Sequence, residues 1–337
     1  MDLRAGARGL RTLATAALLA MAASACAPTV TGLGRPAGTP ALEADAFVAA
    51  DGTRLPLRDW RPEGEARAVV LALHGFGDYA NAFRIPGEAW ARMGIRSYAY
   101  DQRGFGRSPT RGRWAGGEAM ASDLAAALSL LRARHPGIPI AVLGESMGGA
   151  VAMAAAARGL LGDADGIVLV APAVRGSEAL GPVATTTLWF FAHVVPWLAG
   201  PSGGPAYQPT DNPEILREWA QDPLILRGPR VDMAWGLVGL MDEAVAAAPV
   251  LEARLLVLTG ARDALVPDRA MEAALARMKR AAGGGPRVAR YAEGWHMLLR
   301  DLGAARAQQD VAHWVAGLRD GGAGPLPSGA ERAARQD

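Results

Sequence analysis

The chain of 337 residues contains one cysteine, Cys26, so no disulfide forms within it and no cysteine cage for a metal can be assembled. Lysine is almost missing: Lys279 is the only one, and arginine carries the positive charge. No glycine-rich loop is followed by Lys-Ser or Lys-Thr, which excludes a phosphate-cradling loop of that kind. An excess of one charge sign is lacking too. The 35 basic and 33 acidic residues nearly cancel, at +2, and no basic cluster marks a nucleic-acid surface. The five histidines fall into no grouping with metal-ligand spacing, so no cofactor and no metal is expected. What remains is half hydrophobic and long enough to bury one large core.

Within that chain one stretch carries chemistry. Gly144-Glu145-Ser146-Met147-Gly148 lies between an apolar run, Ile138 to Leu143, and a small-residue helix, Gly149 to Ala157. In G-x-S-x-G a strand delivers the serine, a sharp turn lifts its hydroxyl, and a helix starts at once. Gly144 and Gly148 are the elbow residues, since the turn is strained and the backbones pass closely. The helix N-terminus adds positive partial charge beside the serine oxygen. Ser146 is the candidate nucleophile.

A serine hydroxyl needs a base, and the base an orienting acid, in the chain order Ser, acid, His. His193, His296 and His313 lie well beyond Ser146. His193 sits in the apolar helical stretch Trp189 to Pro196, and His313 on a helix-like segment, Ala304 to Leu318. His296 follows the strand-like Arg287 to Tyr291 and a turn, where a catalytic base belongs. Arg254 to Thr259 reads as a buried strand, and Asp263 stands in the loop past it. Asp268 precedes a helical run, Arg269 to Arg280, and reads as an N-cap. Asp263 is therefore the candidate acid. Ala68 to Leu73 is another buried strand, followed by His74-Gly75-Phe76-Gly77. Two N–H donors are needed where an oxyanion forms, and Phe76 and Met147 supply them. His74 precedes the serine and is expected to brace its loop.

His74-Gly-Phe-Gly77, Asp101-Gln-Arg-Gly-Phe-Gly-Arg-Ser108, Gly144-Glu-Ser-Met-Gly-Gly149, Gly260-Ala-Arg-Asp263-Ala-Leu-Val-Pro267 and Trp295-His296-Met-Leu-Leu299 recur in that order. Over about residues 45 to 318 the chain resembles the α/β-hydrolases of the monoacylglycerol lipase, lysophospholipase and serine aminopeptidase-like group. Glu145 precedes the serine where histidine is usual in that group. The resemblance implies an α/β fold with a mostly parallel central sheet, flanking helices and a helical cap insertion. It implies Ser146, Asp263 and His296 as a triad, matching the choice made from the residues. It further implies a serine hydrolase acting through an acyl-enzyme on lipid-like carboxylic esters of the monoacylglycerol or lysophospholipid class. A peptidase, thioesterase or cofactor-free haloperoxidase on the same triad is the alternative. A non-catalytic binding protein of this fold is the alternative of another class.

Arg4, Arg8 and Arg11 precede an apolar core, Leu13 to Ala23, too short to favour a spanning helix, which reads as an export signal over 1–25. Ala23-Ser-Ala-Cys26 resembles a bacterial lipoprotein box, with Cys26 as the lipidated residue; cleavage after a small-residue triplet to give a soluble secreted or periplasmic protein is the rival. A lipid anchor on Cys26 implies a cell-envelope protein, in a two-membrane cell on the outer membrane facing the periplasm, because Ala27 is not a retaining aspartate. Residues 26–44, rich in Pro, Gly and Thr, are expected as a tether. Ala46 to Val48 and Leu55 to Trp60 form an opening antiparallel pair, and Ile95 to Tyr100 and Ile167 to Val170 are further strands. The core is expected over 45–172 and 251–320. Residues 173–250 break the strand–helix rhythm with Trp189, Phe190, Phe191, Trp197, Trp219 and Trp235. These aromatics either wall the substrate site or pack the cap onto the core. From 321 to 337 too little apolar content remains to fold.

Overall fold

The computed structural model describes residues 27–200, 207–251, 254–278, 285–320 and 326–327. The export signal, Cys26 and most of the 321–337 tail lie outside the described residues.

Apolar runs of four to six residues form the central strands, Ala68 to Leu73, Ile140 to Leu143, Ile167 to Val170 and Leu255 to Leu258, buried on both faces. The strands are β1 (Ala41–Leu42), β2 (Ala46–Val48), β3 (Arg54–Trp60), β4 (Ala68–Leu73), β5 (Ile95–Tyr100), β6 (Ile140–Glu145), β7 (Gly166–Val170), β8 (Leu255–Gly260) and β9 (Arg287–Tyr291). They make one nine-stranded sheet in the order β1-β2-β3-β5-β4-β6-β7-β8-β9. From β5 to β9 every pairing is parallel, and β1, β2 and β3 are joined antiparallel at one edge. Side chains alternate between two cores. Val69, Leu71 and Leu73 of β4 belong to one, and Ala68, Val70 and Ala72 to the other. The same split divides β6, β7 and β8.

The helices of more than four residues are α1 (Arg84–Arg92), α2 (Gly117–Arg134), α3 (Met147–Ala157), α4 (Pro182–Val194), α5 (Pro213–Gln221), α6 (Val231–Ala247), α7 (Asp268–Met278) and α8 (Ala304–Ala316). Buried residues of α2, α3, α6 and α7 join the first core, and those of α1 and α8 the second. Residues 173–250 contribute α4, α5 and α6 and no sheet strand among the described residues, the helical insertion that the resemblance implied. The stretch 231–250 is long and apolar enough to cross a membrane by composition alone, but α6 packs on α3 with Met233, Val238, Leu240 and Ala244 buried.

Two stretches are more ordered than composition suggests. Residues 27–44, expected as a tether, lie on the domain: Thr31 N–H donates to the Trp114 carbonyl at 2.9 Å, Ala37 N–H to the Ala50 carbonyl at 2.7 Å, and β1 pairs with β2. Backbone groups in a proline- and glycine-rich strip still find partners, in the loops at Trp114 and Ala50 and along β2. In the expected tail, Leu326 is buried in the second core. Asp268, expected as an N-cap, is the first residue inside α7.

Candidate active site

The sheet brings four segments to one end. β6 runs two residues further than its apolar run, pairing Gly144 with Leu169 and Glu145 with Val170 of β7, and delivers Ser146 directly to the start of α3. Ser146 has φ 53°, one of two described non-glycine residues with positive φ. Such a backbone persists only where its surroundings hold it. Gly144 and Gly148 make that possible. A Cβ on Gly148 would lie 2.2 Å from the Leu73 carbonyl oxygen, and a Cβ on Gly144 would lie 2.4 Å from the Gly148 carbonyl group.

His296 reaches the serine from the loop after β9. Its Nε2 is 3.0 Å from Ser146 Oγ and its Nδ1 2.8 Å from Asp263 Oδ2. The carboxylate can only accept, so Nδ1 carries the proton and Nε2 faces the serine hydroxyl as an acceptor. Asp263 is itself fixed. Its Oδ1 accepts from the Leu265 and Val266 N–H groups, at 2.8 and 3.0 Å, leaving Oδ2 for the imidazole. His296 and Asp263 are both largely sheltered from solvent. The other sequence candidates stay apart: His193 stacks near Trp189 and Trp235 on the cap, and His313 is exposed on α8.

The loop after β4 closes against the serine. A Cβ on Gly75 would touch Ser146 Cβ at 3.3 Å, so Phe76 follows directly beside Ser146. Met147 is the first residue of α3, where an N–H has no intrahelical acceptor. Among the described residues neither the Phe76 nor the Met147 N–H has a backbone acceptor. His74 braces this loop. Its Nε2 accepts from the Gln102 N–H at 3.0 Å, which puts the proton on Nδ1, and that donates to the Gly75 carbonyl at 2.8 Å. Complete burial lowers the His74 pKa, so the imidazole stays neutral.

The cap meets this loop. Leu226 N–H donates to the Gly77 carbonyl at 2.8 Å, Tyr79 OH donates to Asp222 at 2.7 Å, and Met297 N–H donates to the Pro209 carbonyl at 2.9 Å. A cavity of about 320 Å³ lies between α5 and the loop, lined by Asp78, Tyr79, Ile215, Trp219, Asp222 and Arg300 among others; Ser146 and His296 do not line it. Trp189, Phe190, Phe191 and Trp197 are exposed on the cap, at 47%, 51%, 43% and 56%, so these four do not fill the cap–core seam. The sequence reading missed Asp78 and Arg300. Only a lone buried charge closing the apolar run Met297-Leu298-Leu299 hinted at Arg300, and its partners are too distant in sequence to find.

A family model described as serine aminopeptidase, S33, matches residues 64–303. A monoacylglycerol lipase of Mycolicibacterium smegmatis is 26% identical over 278 residues, 80% of this chain and 95% of the relative. Human monoglyceride lipase is 27% identical over 282 residues, 79% of this chain and 88% of the relative. Among solved structures, a Paleococcus ferrophilus monoacylglycerol lipase superposes with TM-score 0.66 at 19% identity, over 78% of this chain and 99% of that one. A soluble variant of Saccharomyces cerevisiae monoglyceride lipase, in complex with a substrate analogue, gives 0.68 at 17% identity, over 86% and 99%. The structural likenesses share the α/β-hydrolase fold.

Proposed function

Because the chain belongs to the serine aminopeptidase, S33, family of α/β-hydrolases, we propose that it is a serine hydrolase cleaving carboxylic esters of lipid-like substrates, of the monoacylglycerol or lysophospholipid class. The observation that carries this reading is the hydrogen-bonded series Ser146 Oγ, His296, Asp263 at a strained strand–helix turn. Ser146 Oγ attacks the ester carbonyl while His296 Nε2 takes its proton. Asp263 holds the imidazole tautomer and stabilises the imidazolium. The Phe76 and Met147 N–H groups receive the oxyanion. Collapse of the tetrahedral adduct expels the alcohol, which takes the proton from His296. Water, deprotonated by His296, then releases the acid and restores Ser146.

The lipid preference is supported by what the relatives are named for and by the cap. Between residues 179 and 210 there is no Asp, Glu, Lys or Arg, and the exposed aromatics lie in that stretch. An uncharged face rich in Trp and Phe suits a lipid surface. Together with a lipid on Cys26, it would hold the domain at the cell-envelope membrane where lipid esters are released. In a two-membrane cell its proposed place is the outer membrane, facing the periplasm.

The test is a substrate panel on the full chain and Ser146→Ala: p-nitrophenyl esters of increasing chain length, monoacylglycerols, lysophospholipids and aminoacyl amides, with fluorophosphonate labelling alongside. Labelling of the wild type at Ser146 and turnover of the long-chain esters above the amides is the expected result. Preference for aminoacyl amides would make the chain a peptidase. Absence of labelling would leave a binding protein.

A further inference from the structure

One buried arginine joins the segments that build the site. Arg300 lies on the same loop as His296. Its Nη1 donates to Asp78 Oδ2 at 2.8 Å and its Nη2 to Glu145 Oε2 at 3.1 Å. Glu145 immediately precedes Ser146. Asp78 lies just past Phe76, and its N–H turns back on the Gly75 carbonyl at 3.2 Å while its Oδ1 accepts from the Tyr79 N–H at 2.8 Å. Arg300, Glu145 and Asp78 are 8%, 2% and 5% exposed. None of the three touches the Ser146–His296–Asp263 series through a hydrogen bond.

Burying two carboxylates around one guanidinium is costly, and apolar residues of similar volume often stabilise a fold as well. Burial alone would lower the Arg300 pKa; Glu145 and Asp78 outweigh it and keep the guanidinium charged. Burial in turn pushes the Glu145 carboxyl up, against the pull of Arg300. Geometry gives the cluster a use. The β4–β6 ladder ends at the pair Leu73–Gly144. Beyond it the two backbones carry the oxyanion donors, Phe76 on one and Met147 on the other, with no ladder to set their separation. The rigid fork of an arginine spans two carboxylates in fixed directions, which an ammonium cannot.

We propose that Arg300 is a positioning residue for the hydrolysis: through Asp78 and Glu145 it sets the spacing of the two oxyanion donors and registers both against the loop that carries His296. This rests on the reading of Ser146 as nucleophile with Phe76 and Met147 as donors. A misplacement of about 1 Å costs on the order of 10²-fold in rate.

The experiment compares Arg300→Lys with the triple variant Asp78→Asn/Glu145→Gln/Arg300→Met, which leaves no stranded buried charge and so keeps a fold in which to measure. The readouts are kcat and KM for a p-nitrophenyl ester, Tm, and affinity for an alkyl trifluoromethyl ketone, whose serine adduct draws on the same donors. Both variants are expected to lose about 10²-fold in kcat and in ketone affinity together, with KM little changed, and the triple variant is expected to keep a Tm near wild type. A folded triple variant with wild-type kcat and ketone affinity overturns the proposal, as does a loss carried by KM alone. If Ser146→Ala is inactive while both variants turn over normally, only the positioning role falls. If Ser146→Ala stays active, the reading of the site itself falls.

Discussion

At the scale of the residue, the candidate site is a set of groups with assigned partners. Asp263 has its two oxygens assigned, one to backbone N–H groups and one to His296. Asp263→Asn keeps the shape but offers an amide where the imidazole needs an acceptor. Turnover should fall by roughly 10⁴-fold with an unchanged melting curve; steady-state kinetics beside a thermal melt checks this. Ser146→Ala and His296→Ala should each remove nearly all turnover, and the double variant should lose little more, because the groups act as a unit. Losses that multiply would contradict a shared mechanism. Gly148 is limited by space instead. A methyl group there meets the Leu73 carbonyl oxygen at 2.2 Å, a backbone atom that cannot swing aside. Gly148→Ala should cost about 3 kcal/mol in urea unfolding, and activity should fall with it as the elbow shifts.

At the scale of the element, buried charge ties segments that the sheet does not join. Arg103 donates to Asp51 between β2 and β3 and to Asp123 on α2, binding the antiparallel edge to a helix. Across the site, the cap segment before α5 leans on the His296 loop: Leu302 N–H donates to Asp211, and Asn212 donates to the Arg300 carbonyl. Asp301 is buried in that junction and accepts from the Trp295 N–H at 3.1 Å. Burial pushes its carboxyl from 3.8 to about 6, with Asp211 adding to the rise against the Trp295 N–H. A folded pKa above the unfolded one means the stabilising contribution is complete below 3.8 and is lost as pH rises through about 6. Asp301→Asn keeps the acceptor and removes the titration. Its Tm relative to wild type should therefore increase between pH 4 and pH 7. A Tm difference that stays constant over that interval would refute this account of Asp301.

At the scale of the whole molecule, the question is where the domain sits. If Cys26 carries lipid, the full-length protein partitions with membranes, and Cys26→Ser releases it or stalls its processing. One acyl chain gives only marginal binding; firm anchoring needs two or three chains on Cys26, or a second signal beside the lipid. The exposed face of Trp189, Phe190, Phe191 and Trp197 offers one. Replacing these four by serine in the Cys26→Ser background should abolish residual sedimentation with anionic or neutral vesicles, with p-nitrophenyl butyrate turnover as the check on the fold. Wild-type protein recovered wholly in the soluble fraction would favour the simple export signal.

How much of this was legible follows from the range of the interactions. β4, β5 and β9 were readable to the residue: β4 is an uninterrupted apolar run buried on both faces, and β5 and β9 are short segments bounded by turns, both local properties. The elbow, Asp263 and His296 were readable because the fold's chain order turns a pattern of strands into a short list of loops. β6 was read short at Leu143, since Gly144 and Glu145 have no apolar signal and belong to the strand because β7, and for Gly144 also β4, lies beside them. The sequence alone thus determined the parallel sheet, the candidate nucleophile and its partners. Tertiary structure alone decided that Asp78, Glu145 and Arg300 meet, that residues 30–42 lie on the domain, and that the cap aromatics face outward. Those facts depend on groups far apart in the chain, each chemically ordinary by itself, and on the price of burying charge that only a closed fold can impose.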